Sequence, residues 1–441
     1  MKTLKLAIAL VLGILIGGAF SYKVNVIAKP AGNTIPLAGI RTFSQVFKSI
    51  KDDYVKEVSD QDLINNAIIG MVSKLDPHSS YLLPSNYKNL TISTTGKFGG
   101  LGIEVGMQNG FVKVVSPIDD TPAMKAGLKA GDLIIRINDK SVQGMSLNDA
   151  INLMRGKVNT PINITIVREG VDKPFVVKII RDVITIKSVR SKLLDQNFGY
   201  IRISQFQSKT KAGLEKEIKK LVAENKNKDL KGLILDLRNN PGGLLTSAVE
   251  VSDAFLEKGK IVFTKGRNKN SKTEFNASKT TISKEIPLIV IINGGSASAS
   301  EIVAGALQDH KRAIIVGSKS FGKGSVQTLM PMEGGTGLKL TTALYYTPSG
   351  RSIQAEGIKP DIEIHPVKID AKASNLAKYS VPEKNLSGHL DNGKKENTLQ
   401  EDFEKAKETS TKSAKVETKL IETDFVLYES LNLLKGIALL K

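Results

Sequence analysis

Three serines separated by single alanines form the centre of the stretch GGSASASE. They are Ser296, Ser298 and Ser300. An apolar run at 287–292 precedes them and an apolar helical pattern at 300–309 follows, so they occupy a strand-to-helix turn at the carboxyl edge of a predicted sheet. A nucleophile can act from such a turn. The spacing of Ser298 and Glu301 is also that of a helix cap, and a serine before a helix more often only satisfies backbone N–H groups. This stretch by itself leaves both interpretations open.

A serine attacks a substrate only when a nearby base accepts its proton, and the chain offers few bases. It contains no cysteine and four histidines. His310 is the nearest histidine in sequence, but a full helix separates it from Ser298, which places it roughly 15 Å away by helical rise. Lys323 lies between two glycines after the next predicted strand. Burial lowers the pKa of a lysine toward the neutral form that accepts a proton, although a solvated surface lysine is the default interpretation.

Two other motifs suggest different chemistry, and both are incomplete. The stretch 317–324 (GSKSFGKG) is close to a P-loop, but Gly324 stands where that motif needs a hydroxyl residue for Mg²⁺. Asp361, Glu363 and His365 alternate on a predicted strand and could suggest a metal site, but no partner cluster accompanies them. The absence of cysteine excludes thiolate nucleophiles and cysteine-based zinc sites. We therefore expect neither a metal nor a cofactor.

The composition is that of a basic globular protein with two or three domains. The chain has 441 residues, of which 41% are hydrophobic, and its formal net charge is +19. The charge is spread along the chain, aromatic residues make up only 5%, and no zinc-finger or RNP signature is present. These features argue against nucleic-acid binding and fit an anionic membrane or cell-envelope surface better.

The N-terminus has the pattern of an export signal. Lys2 and Lys5 precede an apolar run at 6–20, which is slightly short for a bilayer span of about 20 residues. We expect residues 1–22 to be a signal peptide or a membrane anchor, and the protein to act in the periplasm or on the extracytoplasmic face of the membrane. Residues 23–95 are predicted to form an N-terminal helical region, whose two apolar stripes we expect in a core or an interface.

From residue 96 to residue 182 the pattern changes to short strands and glycine turns, and this region resembles a PDZ domain. The resemblance rests on the FGGLGI loop, on the AGLKAGD turn and on a capped helix that ends near Arg155. In PDZ domains the first of these loops binds the C-terminal carboxylate of a peptide. Here the matching residues are Gly100, Leu101, Gly102 and Ile103. Consecutive N–H groups in a glycine loop form an anion nest, and the next strand edge accepts an extended peptide.

Beyond residue 182 strands and helices alternate, which predicts an α/β core with a largely parallel sheet. The predicted strands are 198–203, 232–237, 261–264, 287–292 and 313–316. The carboxyl ends of such strands form the rim on which active sites are found. We expect this core to span residues 183–368. Residues 369–441 are predicted to be a charged linker followed by a short amphipathic helix from Ile421, which docks on the core or on a second subunit.

Taken together, the motifs resemble those of the C-terminal processing peptidases, also called tail-specific proteases. The resemblance covers most of the chain, and beyond the PDZ region its motifs are LDPHSSY (75–81), DLRNNPGG (236–243), GGSASASE (294–301), GKGSVQ (322–327) and YTPSGR (346–351). In that family the middle serine is the nucleophile, a lysine is its base and a glutamine orients the lysine. These roles transfer to Ser298, Lys323 and Gln327, and the oxyanion-hole N–H groups transfer to Ala299 and Gly242.

The resemblance also implies a fold and a function. The expected fold is a βαβ-type, crotonase-like protease core with an inserted PDZ β-barrel domain and helical terminal segments. The expected activity is that of a serine endopeptidase that captures apolar C-terminal tails, with Arg155 reporting occupancy through Gln327, and with a homo-oligomer of two or more copies. An inactive scaffold and an acyl-CoA enzyme of the crotonase type are the alternatives. The intact Ser298, Lys323 and Gln327 argue against the first, and the PDZ region and export signal argue against the second.

Overall fold

The computed structural model describes residues 36–195, 197–267, 272–278, 286–365 and 420–440. The chain divides into two compact units, the first ending at Met71 and the second beginning at Val72. The predicted signal or anchor (1–22) and the predicted charged linker (369–419) lie outside the described residues. Within the described ranges, no helix has the length and apolar character needed to cross a bilayer.

The first unit contains helix α1 (Leu37–Asp53) and most of helix α2 (Asp60–Ser73). The predicted apolar stripe is present on α1, where the rings of Phe43 and Phe47 lie 6.4 Å apart. Every α1 side chain within the described chain is at least partly exposed. The expectation that this stripe belongs to a core is therefore wrong for the described chain, and the interface alternative stays a prediction.

The second unit begins with a short strand and a helix and continues into the predicted PDZ domain. The elements are β1 (Ser80–Leu82), α3 (Pro84–Thr95), β2 (Lys97–Gly100), β3 (Ile103–Gln108), β4 (Phe111–Pro117), α4 (Pro122–Lys125), β5 (Leu133–Ile137), β6 (Lys140–Ser141), α5 (Leu147–Met154), β7 (Pro161–Val167), β8 (Phe175–Ile180) and β9 (Asp182–Thr185). An antiparallel sheet runs in the order β3-β4-β5-β7-β8, with β6 beside β5, and β2 pairs with β9. Alternate residues of these strands, such as Ile134 and Ile164, fill the interior of the domain.

The remaining elements form the α/β core predicted from the alternation of strands and helices. They are β10 (Val189–Asp195), β11 (Phe198–Ile203), α6 (Thr210–Glu224), β12 (Gly232–Asp236), α7 (Leu245–Asp253), β13 (Lys260–Gly266), β14 (Thr273–Asn276), β15 (Leu288–Ile292), α8 (Ala299–Asp309), β16 (Ile314–Gly317), β17 (Ser325–Pro331), β18 (Gly337–Tyr346), β19 (Ile362–Glu363) and α9 (Phe425–Leu439). The main sheet has the order β10-β11-β12-β15-β16-β19, and every pair except β10–β11 is parallel. The predicted α/β fold with a separate β domain is confirmed.

The two central strands, β12 and β15, are buried along their whole length because helices cover both faces of the sheet. On one face Leu235 and Val290 belong to the cluster that includes residues of α6, α7 and α8. On the other face Ile234 and Ile289 pack with Leu431 of α9. Both strands end at the same rim, so the turns that follow them lie side by side.

One strand was assigned to the wrong sheet. The segment 261–264 was expected to continue the parallel series, but β13 pairs antiparallel with β18 and β14 in a second sheet. That sheet has the order β1-β18-β13-β14, with β17 also paired to β18. Alternation of element types predicts that a strand exists, but it does not determine which neighbour its backbone groups pair with. The long β17–β18 hairpin was not predicted, and it carries Gln327.

The C-terminal helix docks on the main sheet, which confirms one of the two expectations for it. Leu431 and Leu434 are fully buried, and a Cβ atom at Gly232 would lie 2.6 Å from Leu434 Cγ. Asp424 caps the helix by accepting the Leu427 N–H, and it also pairs with Arg238 at 2.7 Å. The helix is thus fastened to the end of β12, directly before the Asn-Asn-Pro-Gly-Gly turn.

Candidate active site

Ser298 lies at the N-cap of α8 with φ 56° and ψ −112°. A positive φ in a residue with a side chain is uncommon and strained, and such residues concentrate at functional sites. A sharp turn of this kind between a strand and a helix exposes a serine hydroxyl above the edge of a sheet. The Glu301 carboxylate accepts the Ser298 N–H at 2.7 Å, as the capping interpretation predicts. Ser298 is therefore part of a cap and is also placed where a nucleophile can act.

The two serines that flank Ser298 have structural contacts. Ser296 and Ser300 are fully buried. The Ser296 hydroxyl donates to the Leu237 carbonyl at 2.8 Å, and the Ser300 hydroxyl donates to the Asn240 carbonyl at 2.9 Å. These two bonds fasten the serine turn to the loop that follows β12.

That loop places Gly242 directly against the serine turn. Gly242 has φ +102°, and a Cβ atom built on it would lie 2.8 Å from Ser298 Cβ and 3.0 Å from the Ala299 nitrogen. Only glycine fits this close approach. The structure thus brings Gly242 and Ala299 together beside Ser298. In this structure the Gly242 N–H donates to Asn240 Oδ1 at 2.9 Å, so its role as an oxyanion-hole donor stays a prediction.

Lys323 lies on the loop between β16 and β17 and is partly buried. Its Nζ donates to Gln327 Oε1 at 2.6 Å, as the predicted orienting role of Gln327 requires. Burial lowers the pKa of Lys323, and the positive charge of Lys339 lowers it further, whereas the negative charges of Glu301 and Asp76 act in the opposite direction. Among the contacts of the described residues, Lys323 Nζ is bonded to Gln327 and not to Ser298.

Glu301 joins the serine and lysine loops, a role that the sequence did not reveal. Its buried carboxylate accepts the Ser298 N–H, the Ser320 hydroxyl at 2.6 Å, the Gly322 N–H at 2.7 Å and the Lys323 N–H at 2.9 Å. Burial raises the pKa of Glu301, and these four bonds oppose that shift. The stretch that is close to a P-loop does bind an anion, but the anion is this carboxylate. The near-match to a P-loop was the one sequence signal that could have suggested it.

Tyr345 provides a second link between the same two loops. It is almost completely buried on β18, and its hydroxyl donates to the Lys323 carbonyl. Burial raises the pKa of Tyr345 and the neighbouring Ser298 side chain lowers it, so the tyrosine lies beside both loops. Ser298 and Lys323 are therefore held in one neighbourhood by Glu301 and Tyr345.

The residues dismissed as catalytic or metal-binding candidates have other contacts. His310 lies at the opposite end of α8 from Ser298 and bonds to the Lys260 carbonyl at 2.7 Å. Asp361 accepts the Ile315 N–H, while Glu363 and His365 form an exposed pair at 3.5 Å. In the part of the chain that the structure describes, no three potential metal ligands come together.

The four predicted peptide-binding residues border one groove of about 200 Å³ in the β domain. Its lining consists of Phe98, Gly100, Leu101, Gly102, Ile103, Val105, Ile151, Met154 and Arg155. The Leu101 and Gly102 carbonyls accept the Ala123 and Ile118 N–H groups at 2.9 and 2.8 Å, which fixes the loop from behind. Gly102 has φ +78°, and a Cβ there would collide with the side chain of Thr121.

Arg155 borders the groove at the C-cap of α5. Its guanidinium lies 4.7 Å from the centre of the Phe98 ring and donates to Asn89 Oδ1 on α3 at 3.0 Å. Its Nε is buried and has no hydrogen-bond partner among the described residues. Gln327 is bonded instead to Lys323, Ser325 and Thr341. A route from Arg155 through Gln327 stays a prediction.

Comparison with known proteins identifies the family. Family models match residues 197–364 (Peptidase family S41), 113–168 (PDZ domain) and 23–84 (Activating protease CtpB N-terminal domain). The carboxy-terminal-processing protease of Bartonella bacilliformis is 52% identical over 355 residues, which are 80% of this chain and 81% of that protein. The chain belongs to the C-terminal processing peptidases.

More distant relatives have the same description. The carboxy-terminal processing protease CtpA of Bacillus subtilis is 38% identical over 322 residues, which are 73% of this chain and 68% of that protein. A solved photosystem II D1 C-terminal processing protease is 29% identical, with a TM-score of 0.43, and the match covers 76% of this chain and 90% of that one. This peptidase is a C-terminal processing serine protease that carries a PDZ domain. The scaffold and acyl-CoA alternatives are disfavoured accordingly.

Proposed function

We propose that this peptidase cleaves protein substrates through Ser298 as nucleophile and Lys323 as general base. Neutral Lys323 takes the Ser298 proton while Oγ attacks the scissile carbonyl, and the resulting ammonium group donates that proton to the leaving amine. Water then hydrolyses the acyl-enzyme by the same groups in reverse order. The observation that supports this best is the lysine itself: it is partly buried, its pKa is lowered, and Gln327 holds its Nζ.

Attack requires two changes from the resting structure. The Ser298 hydroxyl must donate to Lys323 Nζ, which in the resting structure is bonded to Gln327. The Gly242 N–H must turn from Asn240 Oδ1 toward the oxyanion, which the Ala299 N–H also binds. Loss of one such donor typically costs a hundredfold or more in rate, on the order measured for other oxyanion holes. The N-terminus of α8 adds a favourable dipole for the same charge.

We further propose that the groove bordered by Gly100–Ile103 binds the apolar C-terminal tail of the substrate. The terminal carboxylate would bind the N–H groups of the loop, and apolar side chains would contact Leu101 and Ile151. An occupant would also meet Arg155, which now contacts Asn89 and Phe98. We propose that Arg155 exchanges these contacts for contacts with the bound tail. This exchange would signal tail binding to the active site through Gln327.

The test compares the wild type with Ser298→Ala, Lys323→Ala and Lys319→Ala on one protein substrate that ends in an apolar tail. Lys319 is the matched control because it is an exposed lysine on the same loop. We expect cleavage to be lost in the first two variants and retained in the third. Equal cleavage by all four proteins would refute the mechanism. Amidation of the tail tests the groove separately, since unchanged cleavage would exclude carboxylate binding there.

The site of action and the assembly are also proposals. The charged and apolar pattern of residues 1–22 supports export and attachment to the membrane, and a fusion of this segment to a reporter that is active only outside the cytoplasm tests it. The exposed apolar stripe of α1 supports a dimer or larger homo-oligomer. Sedimentation of wild type and Phe43→Glu tests it, because equal masses would exclude this stripe as the contact.

A further inference from the structure

One carboxylate close to the lysine has no role in the mechanism above. Asp76 lies in the loop before β1, and Oδ1 accepts the His78 and Ser79 N–H groups at 2.8 and 2.9 Å. Oδ2 accepts the Ser79 hydroxyl at 2.6 Å. The Thr341 hydroxyl donates to Oδ1 at 3.2 Å. These bonds, led by that of the Ser79 hydroxyl, lower the pKa of Asp76 to about 2, so it is an anion wherever a lysine can act as a base.

The carboxylate fixes the direction of the next hydrogen bond. An ionised carboxylate can only accept, and a hydroxyl has a single proton to give. Thr341 commits that proton to Asp76. The Ser79 hydroxyl also lies 3.4 Å from the Thr341 oxygen, but it gives its own proton to Asp76 Oδ2 at 2.6 Å. The Thr341 oxygen therefore accepts from Gln327 Nε2 at 3.2 Å. Ser325 Oγ also lies 3.0 Å from Nε2, but a hydroxyl with a free proton could pair with either end of an amide. Thr341 is therefore the contact that selects the orientation of the Gln327 amide.

The orientation of the Gln327 amide decides whether the lone pair on Lys323 Nζ is available to accept a proton. A neutral amine has two hydrogens and one lone pair. With Gln327 Oε1 facing Nζ at 2.6 Å, Lys323 donates a hydrogen and keeps its lone pair for the Ser298 proton. If the amide were reversed, its N–H would face Nζ and would occupy the lone pair, and the lysine could no longer act as a base.

We propose that Asp76 and Thr341 are positioning residues that hold the Gln327 amide in the orientation that leaves the Lys323 lone pair free. The inference rests on the proposed Ser298 and Lys323 mechanism. The loop that carries Asp76 is held against β18 by further backbone contacts. Ser79 Oγ accepts the Thr341 N–H at 3.0 Å, and β1 pairs with β18 from Ser80 opposite Lys339.

The experiment measures kcat, KM and the pH profile of peptide cleavage for Thr341→Val, Thr341→Ser and Thr342→Val. Thr342 is the matched control because it lies next to Thr341 on β18. Within the described ranges, its hydroxyl bonds only across the hairpin to Thr328, at 2.7 Å. We expect kcat of Thr341→Val to fall about tenfold with KM unchanged, as for loss of one hydrogen bond that orients a catalytic group. Thr341→Ser restores the rate, and Thr342→Val resembles the wild type.

The pH profile separates reversal of the amide from an unrelated loss of activity. Lys323 faces the ionisable groups of Lys339, His78, Glu301 and Asp76. Thr341→Val removes none of these charges, but a reversed amide stabilises the neutral amine by binding its lone pair, so we expect the plateau to fall and the midpoint to move to lower pH. A lower plateau at the wild-type midpoint would contradict amide reversal. Asp76→Asn removes an anion that raises the pKa of Lys323, so we expect a lower plateau and a midpoint shifted to lower pH.

Wild-type kcat in Thr341→Val would overturn the inference, and so would a serine variant as slow as the valine variant. Thermal denaturation of each variant identifies an enzyme that is slow only because it is unfolded. If Thr341→Val is unfolded, the pH profile of Asp76→Asn tests the inference in its place. Ser298→Ala and Lys323→Ala are assayed in parallel. If both cleave normally, the proposed mechanism fails, whereas if both are inactive and Thr341→Val is fast, only the positioning inference fails.

Discussion

Replacement of Glu301 by glutamine is predicted to disturb the nucleophile and the base together. Glu301 Oε2 accepts the backbone N–H groups of Ser298 and Lys323, while Oε1 accepts the Gly322 N–H and the Ser320 hydroxyl. A glutamine has one accepting oxygen and one NH₂ group that only donates. One of the two pairs of donors must therefore face another donor.

The size of the expected rate loss depends on which pair of donors loses its acceptor. With the amide oxygen toward Ser298 and Lys323, the Ser320 hydroxyl can rotate to accept, and only the Gly322 N–H loses its partner. The reverse orientation leaves the Ser298 and Lys323 N–H groups without an acceptor and is therefore disfavoured. A buried donor without a partner costs about 1–3 kcal/mol. We take a central value of about 2 kcal/mol and expect it to raise the activation free energy, because the catalytic groups are displaced. An increase of about 2 kcal/mol corresponds to a roughly thirtyfold loss of kcat/KM.

The assay is cleavage of a fluorogenic peptide with an apolar tail, with thermal denaturation measured in parallel. Glu356→Gln is the control, because Glu356 is an exposed glutamate in the turn that packs against the Ser320 loop. We expect the control to match the wild type. A Glu301→Gln enzyme with kcat/KM within about twofold of wild type would refute this reasoning, since twofold is well below the effect of one buried donor without an acceptor.

Three further predictions test the lysine, the glycine turn and the C-terminal helix. Lys339→Met removes a positive charge that lowers the pKa of Lys323, so that pKa rises and the acidic limb of the kcat/KM profile moves to higher pH; a limb that stays or moves down contradicts this. Gly242→Ala places a Cβ 2.8 Å from Ser298 Cβ at a φ of +102°, and we expect on the order of a hundredfold loss of kcat with tail-peptide binding retained in a titration. Leu434→Ala empties a fully buried site and is expected to destabilise the core by about 2–5 kcal/mol. An unchanged urea unfolding midpoint would show that α9 does not stabilise the core.

The sequence by itself determined most of the elements and the candidate nucleophile. Continuous apolar runs predicted β11 at its observed bounds, and β12 and β15 within one residue at one end. The Ser298–Glu301 spacing predicted the start of α8. These features could be predicted because periodicity and capping depend on neighbouring residues.

Pairing between distant segments was decided only by the tertiary structure. The sequence indicated that β13 is a strand but not that it belongs to the second sheet, because any strand edge offers the same backbone groups. The β17–β18 hairpin was missed for a related reason: most of its side chains are only partly buried and give no clear apolar alternation.

The network around Lys323 shows the same limit. Thr341 and Asp76 are 265 positions apart, and their hydrogen bond exists only because β1 pairs with β18. Glu301 has a spacing that fits a cap, yet three of its four donors come from a loop about twenty residues later in the chain. The sequence therefore identified the groups that could react. Their hydrogen-bond partners, and with them the direction of each proton, depend on contacts that only the folded chain creates.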